Sequence, residues 1–213
     1  MRKLVISVNI TLDGFVADAY GGLDWHLKSW SSELADAVAG VLSCADTLLL
    51  GRKTYQAMAA YWPWQAKNMN FPREDIAYAE MMNNCQKVVF SSTMQHAGWN
   101  NSVLLKGDLK KEVIKLKKQP GNDILTYGSI SMVKKLIAFN LVDEYQLWVH
   151  PVTLGEGLPF FENVKEKLLL EPLSTRGFAS GVVLMIYRKD VPIQITLRSF
   201  TTSARSVFYD SII

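Results

Sequence analysis

The chain has 213 residues, of which 49% are hydrophobic and 20% are charged, a composition typical of a globular domain and not of a disordered chain. A net charge of +3 is too small to indicate a nucleic-acid-binding protein or a membrane-surface protein. The two cysteines, Cys44 and Cys85, belong to no paired motif, so no disulfide framework is expected. The first apolar run, residues 4–9, is too short for a signal peptide, and no stretch reaches the length of a membrane span. We therefore expect a cytoplasmic protein.

In the first half of the chain, apolar runs that predict buried strands alternate with helical patterns. Strands are expected at residues 3–9 and 46–50, and the helix between them is expected to begin at Ser31 or Ser32. A second, short helix follows Gly51.

The region after this second helix carries helix-breaking and polar residues. Trp62-Pro63-Trp64 is expected to end the helix, because proline lacks the N–H that a helix interior needs. Residues 64–84 are polar, contain Pro72 and end in Asn83-Asn84, so they are predicted to be irregular.

The second half of the chain is richer in strands, which are expected at residues 87–91, 102–105, 123–127, 144–150, 167–171 and 181–188. Asp108 caps one helix and Gly128-Ser129 precedes another. Helices alternate with strands early and strands follow one another late, so we predict a largely parallel sheet with an antiparallel edge. The helix capped by Asp108 is predicted to turn its lysines to solvent; these are Lys110, Lys111, Lys115, Lys117 and Lys118.

The last part of the chain has a different pattern. Residues 1–189 are predicted to form one domain, and residues 190–213 a C-terminal extension. Apolar residues alternate with other types near its start, at Val191, Ile193, Ile195 and Leu197, which predicts a further strand or an interface segment.

Three segments place glycine or hydroxyl residues directly after a predicted strand. They are Gly51-Arg52-Lys53-Thr54, Ser91-Ser92-Thr93 and Gly128-Ser129. In an open α/β sheet, ligands bind beyond the carboxyl ends of the strands, and the N–H groups of a helix start favour phosphate. Together the three segments indicate a nucleotide, although each one alone is more often a tight turn or a helix cap.

Other candidate residues have a functional and a structural interpretation. Asp13 next to Gly14 could form a hydrogen bond to a substrate or belong to an ordinary turn. Glu33 could face a cleft, or it could simply stabilise the start of the helix through the helix dipole. Trp25 could stack on a ring or pack in a loop. The histidines share no metal-ligand spacing, so no metal site is expected; they are His26, His96 and His150.

The ordered set of segments resembles the dihydrofolate reductase-like superfamily, and within it the C-terminal reductase domain of the bifunctional riboflavin-biosynthesis deaminase/reductase with its stand-alone relatives. The resemblance covers roughly residues 2–188. It is carried by Asp13-Gly14, Gly51-Arg52-Lys53-Thr54-Tyr55, Ser91-Ser92, Tyr127-Gly128-Ser129, Leu141-Val142-Asp143-Glu144-Tyr145, and then Pro151, Gly155, Gly157 and Phe160-Phe161.

The resemblance implies a three-layer α-β-α fold around a mixed, mostly parallel sheet, NADPH as the cofactor and a homodimer. By motif match, Gly51, Arg52, Lys53 and Thr54 would hold cofactor phosphates, and Ser91 and Ser92 would lie near the adenosine ribose and its 2′-phosphate. Gly128 and Ser129 would lie under the pyrophosphate or the nicotinamide ribose, and Asp13 near the nicotinamide and the substrate. Trp25 and Glu33 are candidate substrate contacts.

The function implied is an NADPH-dependent reductase of a small heterocycle, with 5-amino-6-(5-phosphoribosylamino)uracil of riboflavin biosynthesis as one candidate. The alternative is a non-catalytic nucleotide- or pterin-binding protein on the same fold. It is motivated by the single glycine at 128, where the family usually has two or more, and by the lack of a secure match to the acidic pterin-binding residue.

Overall fold

An eight-stranded sheet runs through the middle of the molecule in the computed structural model, which describes residues 1–66, 73–162 and 167–189. The strands are β1 (Leu4–Thr11), β2 (Phe15–Ala17), β3 (Ala45–Gly51), β4 (Gln86–Phe90), β5 (Ser102–Leu105), β6 (Asp123–Gly128), β7 (Glu144–His150), β8 (Leu158–Pro159), β9 (Leu170–Gly177) and β10 (Val183–Lys189). The helices are α1 (Ser32–Ser43), α2 (Arg52–Gln65), α3 (Arg73–Asn84), α4 (Leu109–Lys118) and α5 (Ile130–Ala138), and a 3₁₀ helix covers Asp24–Ser29.

The strand order confirms the predicted mixed sheet. The order is β5-β4-β3-β6-β1-β7-β10-β9, and every neighbouring pair from β5 to β7 is parallel. Strand β10 is antiparallel to both β7 and β9. Strands β1 and β3 are mostly apolar and are buried along most of their length, as expected for strands covered on both faces.

Helices cover both faces of the sheet, which confirms the three-layer architecture. On one face, Val5 and Leu50 of the sheet pack with Leu42 of α1, Tyr55 of α2 and Tyr78 of α3. On the other face, a cluster built on β1 includes α4 and α5; its members include Leu4, Ile6, Val113, Val133 and Leu136. The alternation of side chains along each strand separates the two clusters.

The parallel strands bring their carboxyl ends to one side of the molecule. We call this side the carboxyl edge; it holds the C-terminal ends of β4, β3, β6, β1 and β7 with the loops that follow them. The segments singled out in the sequence at Gly51, Ser91, Gly128 and Asp13 lie at the ends of these strands or directly after them. The fold therefore gathers them at the position where α/β sheets bind ligands.

The prediction for residues 64–84 is wrong over much of its length. Helix α2 continues through Pro63 to Gln65, and α3 occupies Arg73–Asn84. The rings of Trp62 and Tyr78 lie 5.0 Å apart between centroids, so the two helices pack against each other through aromatic side chains. This tertiary contact outweighs the low helical signal of the segment.

The prediction that all lysines of α4 face solvent is also wrong for one of them. Lys117 is buried, and its Nζ donates 2.9 Å to the Leu141 carbonyl and also bonds the Asp143 carboxylate. The same carboxylate accepts a hydrogen bond of 2.7 Å from Leu4 N–H. Lys117 therefore connects α4 to the start of β1 and the segment before β7.

The C-terminal strands extend differently from the prediction. Strand β9 covers Leu170–Gly177 rather than 167–171, and nearly all of it is exposed because it forms the edge of the sheet. The extension predicted at 190–213 lies outside the described residues. Among the helices that the structure describes, none is both long and apolar enough to span a bilayer.

Candidate functional site

Two glycine-containing turns touch at the carboxyl edge. Gly51 ends β3 and Gly128 ends β6, and these strands are neighbours, with Leu50 opposite Gly128. A Cβ atom added to Gly51 would lie 2.3 Å from Ser129 Oγ, and one added to Gly128 would lie 3.0 Å from Thr54 Oγ1. Glycine is required at 51 by this close approach, and at 128 also by a backbone φ of 134°. The two turns form one compact surface.

Each of these turns opens a helix whose first N–H groups are left available. Gly51 is the N-cap of α2 and has no side chain, and the Ser129 hydroxyl, the N-cap of α5, lies 3.2 Å from Ser131 Oγ instead of capping the helix within the described chain. In contrast, Ser31 caps α1 and Asp108 caps α4 with side-chain hydrogen bonds. Open helix starts are suited to binding phosphate groups.

Two cations follow Gly51 directly. Arg52 and Lys53 are exposed, Thr54 is half-buried, and Tyr55 is buried. The Tyr55 hydroxyl donates to Ser102 Oγ at 3.1 Å and accepts from Trp99 N–H at 2.8 Å, which fixes the first turn of α2. Arg52 and Lys53 thus project from a rigid helix start and give the edge a local positive charge.

The two serines after β4 have different environments. Ser91 is buried, and its Oγ accepts hydrogen bonds from Thr93 N–H at 3.2 Å and Met94 N–H at 3.1 Å. Ser92 is exposed. The Ser91 side chain therefore shapes the turn, and Ser92 is the serine available to a ligand.

The carboxylate of Asp13 holds a loop in place. One oxygen accepts hydrogen bonds from Leu154 N–H at 3.0 Å and Gly155 N–H at 2.8 Å, and the other accepts one from Thr11 Oγ1. These bonds, the one from Thr11 first, lower the pKa of Asp13. The group is therefore ionised at neutral pH and cannot readily donate a proton, so its contribution at this edge is the position of residues 154–155.

Glu33 is engaged by the chain itself. Its two oxygens accept hydrogen bonds of 3.2 Å each, one from Arg176 and one from Ala179 N–H, which connects α1 to the end of β9. Asp36, one helical turn further on, lines a cavity of about 480 Å³ near the amino ends of the strands, with Lys3 and Asp123. That cavity is at the side opposite the carboxyl edge.

Tyr127, directly before Gly128, turns into the molecule. Its hydroxyl lies 3.2 Å from that of Tyr78 in α3. Burial raises the pKa of Tyr78 to about 12 and that of Tyr127 well above its usual value, so both hydroxyls stay protonated. The Tyr127 side chain therefore packs in the apolar cluster that includes Tyr78 of α3.

Sequence reasoning missed a polar cluster beside the end of β7. His150 is 1% exposed, and its Nε2 lies 3.1 Å from Asn9 Oδ1. The rings of Trp25 and His26, from the 3₁₀ helix, lie 5.3 and 6.0 Å from the His150 ring between centroids. His150 lies more than 120 positions after the adjacent pair Trp25 and His26, so only the fold could reveal the cluster.

The environment of this cluster lowers the pKa of both histidines. Burial, with a smaller effect from His26, lowers the pKa of His150 to about 4, and burial also lowers that of His26. Both rings are therefore neutral at pH 7. In the described parts of the chain, no group of three His, Cys, Asp or Glu side chains is placed to hold a metal ion.

Comparison with known proteins gives a consistent family. The uncharacterized protein YyaP of Bacillus subtilis is 36% identical over 87% of this chain and 94% of its own length. A putative riboflavin biosynthesis protein from Shewanella sp. PV-4 has a similar structure, with a TM-score of 0.71 at 20% identity, over 90% of this chain and 100% of that one.

A dihydrofolate reductase from Enterococcus faecalis, complexed with NADP(H), shares the fold with a TM-score of 0.58 at 16% identity, over 89% of this chain and 97% of that one. The family model of the RibD C-terminal domain matches residues 2–184. The chain therefore belongs to the RibD C-terminal domain family.

Proposed function

We propose that this protein is an NADPH-dependent reductase of a small heterocyclic substrate, with 5-amino-6-(5-phosphoribosylamino)uracil as the first candidate. The observation that carries the proposal is the pair of open helix starts, α2 and α5, held in contact at the carboxyl edge by Gly51 and Ser129. The family and the cofactor of the Enterococcus structure support the same conclusion.

The residues at the edge fit a dinucleotide phosphate. The N–H groups at the start of α2 and α5 would hold the pyrophosphate, and Gly51 and Gly128 leave room that any Cβ would fill. Arg52 and Lys53 would neutralise phosphate charge, and Ser92, one strand further out, would reach the adenosine ribose. Such a ligand would extend from β4 across β3 and β6 toward β1.

The chain's own part in the reaction is positioning. When bound, the reduced nicotinamide supplies a hydride, and the substrate's double bond takes it at carbon and a proton at the heteroatom. Asp13 holds the backbone of 154–155 beside the end of β1, which restricts where a substrate can lie. Because its carboxyl is ionised, we assign the proton to water rather than to Asp13.

Titration of the protein with NADPH, followed by nicotinamide fluorescence, tests the proposal, with NADH as the control ligand. We expect saturable binding that is tighter for NADPH. No binding at millimolar NADPH would overturn the proposal. Binding of NADPH and of uracils or pterins without any oxidation of the cofactor would instead favour the non-catalytic binding protein.

A further inference from the structure

The cavity of about 480 Å³ near the amino ends of the strands lies between α1 and the sheet. We call it the amino-end cavity. Its lining is apolar where the sheet faces the helix; Val5 of β1, Leu125 of β6, and Leu184 and Ile186 of β10 lie on the sheet side, and Val41 of α1 lies opposite. A volume of this size is typical of sites for small organic molecules. Its apolar lining would cover the hydrocarbon part of such a molecule.

One buried polar atom in the lining of this cavity has no hydrogen-bond partner. Gln146 of β7 lines the cavity and is 8% exposed, and its Oε1 is without a partner in the part of the chain that the structure describes. Its Nε2 donates 2.8 Å to the Glu144 carboxylate, which only accepts, so the orientation of the amide is fixed. A buried acceptor without a donor is destabilising. A ligand in the cavity that donates an N–H would satisfy it.

The charged residues of the lining favour a positively charged donor. They comprise three carboxylates and two cations; these are Asp36, Asp123, Glu144, Lys3 and Arg176. Arg176 is paired with a carboxylate of α1 outside the lining, and Lys3 with Glu144. Among the described residues, Asp36 and Asp123 form no ion pair. Burial and, more weakly, the neighbouring Glu144 raise the pKa of Asp123 despite the opposing effect of Lys3, so a cation here would stabilise its ionised form.

The donor set fits an organic cation better than a metal ion. In the described ranges, no three His, Cys, Asp or Glu side chains are close enough together to hold a metal. Hard cations require a shell of oxygen ligands, which the apolar side of the cavity cannot supply. A primary ammonium carries both the charge and three N–H donors, and its hydrocarbon part suits the apolar lining.

We propose that the amino-end cavity is a second binding site, and that it takes a small organic cation with a primary ammonium group on an apolar body. The ammonium donates to Gln146 Oε1, and Asp36 and Asp123 balance its charge. The length of β1, roughly 25 Å, separates this site from the carboxyl edge. The inference therefore goes beyond the proposed reductase function and does not depend on it.

Phenethylamine, which is charged at pH 7, is the test ligand, and 2-phenylethanol is its matched control because it has the same ring and chain but no charge. Isothermal titration of the full chain measures both. We expect saturable binding of the amine at millimolar concentration, and binding of the alcohol that is at least about tenfold weaker. No saturable binding of the amine at tens of millimolar would mean that water alone fills the cavity and would overturn the inference. Equal binding of the two compounds would also overturn it.

Two variants locate the amine. Gln146→Leu removes the acceptor at similar volume and should weaken binding by about tenfold. Asp36→Asn removes an exposed charge of the lining and should weaken it by about two- to fivefold, whereas Glu80→Gln, at an exposed carboxylate of α3 outside the lining, should leave it unchanged. Equal affinity of Asp36→Asn and Glu80→Gln would contradict the inference even if Gln146→Leu does not fold.

The side-chain amide of Gln146 reports on the site directly. Its ¹⁵N signal is identified by its loss in Gln146→Leu, and we expect phenethylamine, but not NADPH, to move it. An unmoved signal at saturating amine would overturn the inference. A protein that binds the amine at Gln146 but never binds NADPH would refute the reductase and leave this site standing, and the opposite result would refute this site alone.

Discussion

At the scale of single residues, Gly51 lies where the turn after β3 contacts the Gly128-Ser129 turn of the candidate cofactor site. A Cβ atom there would meet Ser129 Oγ at 2.3 Å and Ser129 N at 2.9 Å. The conformation of Gly51 is ordinary, with φ of −79°, so the requirement for glycine is steric. The sequence motif after β3 predicted that this residue matters, but the close contact with residue 129 depends on strand pairing.

Gly51→Ala is therefore expected to destabilise the protein by about 1–3 kcal/mol, because overpacking forces the two turns apart. Gly40→Ala is the matched control: Gly40 is exposed in α1, nothing lies within 4 Å of its added Cβ, and alanine there should stabilise by about 0.5–1 kcal/mol. Urea unfolding measures both. Equal stability of the two variants would show that the contact between the turns is not tight.

Arg52→Ala tests the charge at the same helix start. We expect NADPH to bind more weakly by about 1–3 kcal/mol, because one charged hydrogen bond to phosphate is lost. If Arg52 contacts the 2′-phosphate, which NADH lacks, the effect on NADH is smaller. Lys118→Ala, an exposed cation at the end of α4, should leave both affinities unchanged. Isothermal titration of each variant with both cofactors makes the comparison, and equal losses for NADPH and NADH would place Arg52 away from the extra phosphate.

At the scale of elements, a buried lysine caps the C-terminal end of α3. Lys87 is 0% exposed, and its Nζ donates to the carbonyls of Met82 at 3.0 Å and Asn83 at 2.7 Å. The same ammonium lies 4.3 Å from the centroid of the Trp99 ring. Carbonyls at a helix end favour a cation, so this side chain fixes the junction of α3 and β4.

The lowered pKa of Lys87 should make the free energy of unfolding depend on pH. Burial lowers its pKa from 10.5 to about 8, so between these values the unfolded chain binds more protons than the folded one. The free energy of unfolding therefore gains a contribution that rises with pH in this window, with a slope of at most about 1.4 kcal/mol per pH unit. We expect Lys87→Met to lack this contribution.

Urea unfolding at several pH values from 7.5 to about 9.5 gives the difference between the wild type and Lys87→Met, and staying below pH 10 avoids the tyrosines. Lys118→Met provides the exposed control. A constant difference across the range would mean that Lys87 is not desolvated as the structure shows.

The elements also show how far sequence patterns reach in this molecule. Strands β1, β3 and β6 were predicted well because short, mainly apolar segments are typical of parallel strands that are buried on both faces. Helix α3 was missed because its buried residues, Tyr78, Ala79 and Met82, are few and stand among polar ones. Likewise, nothing local distinguishes the buried Lys117 from its exposed neighbours, since its partners lie 24 and 26 residues away.

At the scale of the whole molecule, the site divides into a predictable and an unpredictable part. The cofactor segments follow strands within a few residues, so order along the chain was enough to gather them at one edge. The cluster of Trp25, His26 and His150 joins two adjacent residues to a third that lies more than 120 positions later, so only the tertiary fold brings them together. No local spacing in the sequence indicates it.

The extension at residues 190–213 gives a prediction about assembly. Val191, Ile193, Ile195 and Leu197 would each expose apolar surface, at about 25 cal/mol per Å², unless they pack on the domain or on a second copy. We expect the full chain to form a dimer. A chain ending at Lys189 should become a monomer or should unfold at a lower temperature. Light scattering measures the oligomeric state, and thermal unfolding measures the melting temperature. A variant of full length with serine at the four apolar positions separates the loss of apolar side chains from the loss of length. An unchanged oligomeric state and melting temperature would show that the extension contributes to neither assembly nor stability.

The contact between Gly51 and Ser129 also determines which substitutions at these two positions the protein tolerates, and in which order. A smaller residue at 129 would relieve part of the clash of a larger residue at 51, because Ser129 Oγ and Cβ are two of the three nearest atoms to an added Cβ and the third is the Ser129 backbone nitrogen. Ser129→Gly should thus be tolerated first and should partly rescue Gly51→Ala, whereas the reverse order passes through an impaired protein. We therefore expect the effects of substitutions at 51 and 129 to be non-additive, because the two residues are in contact.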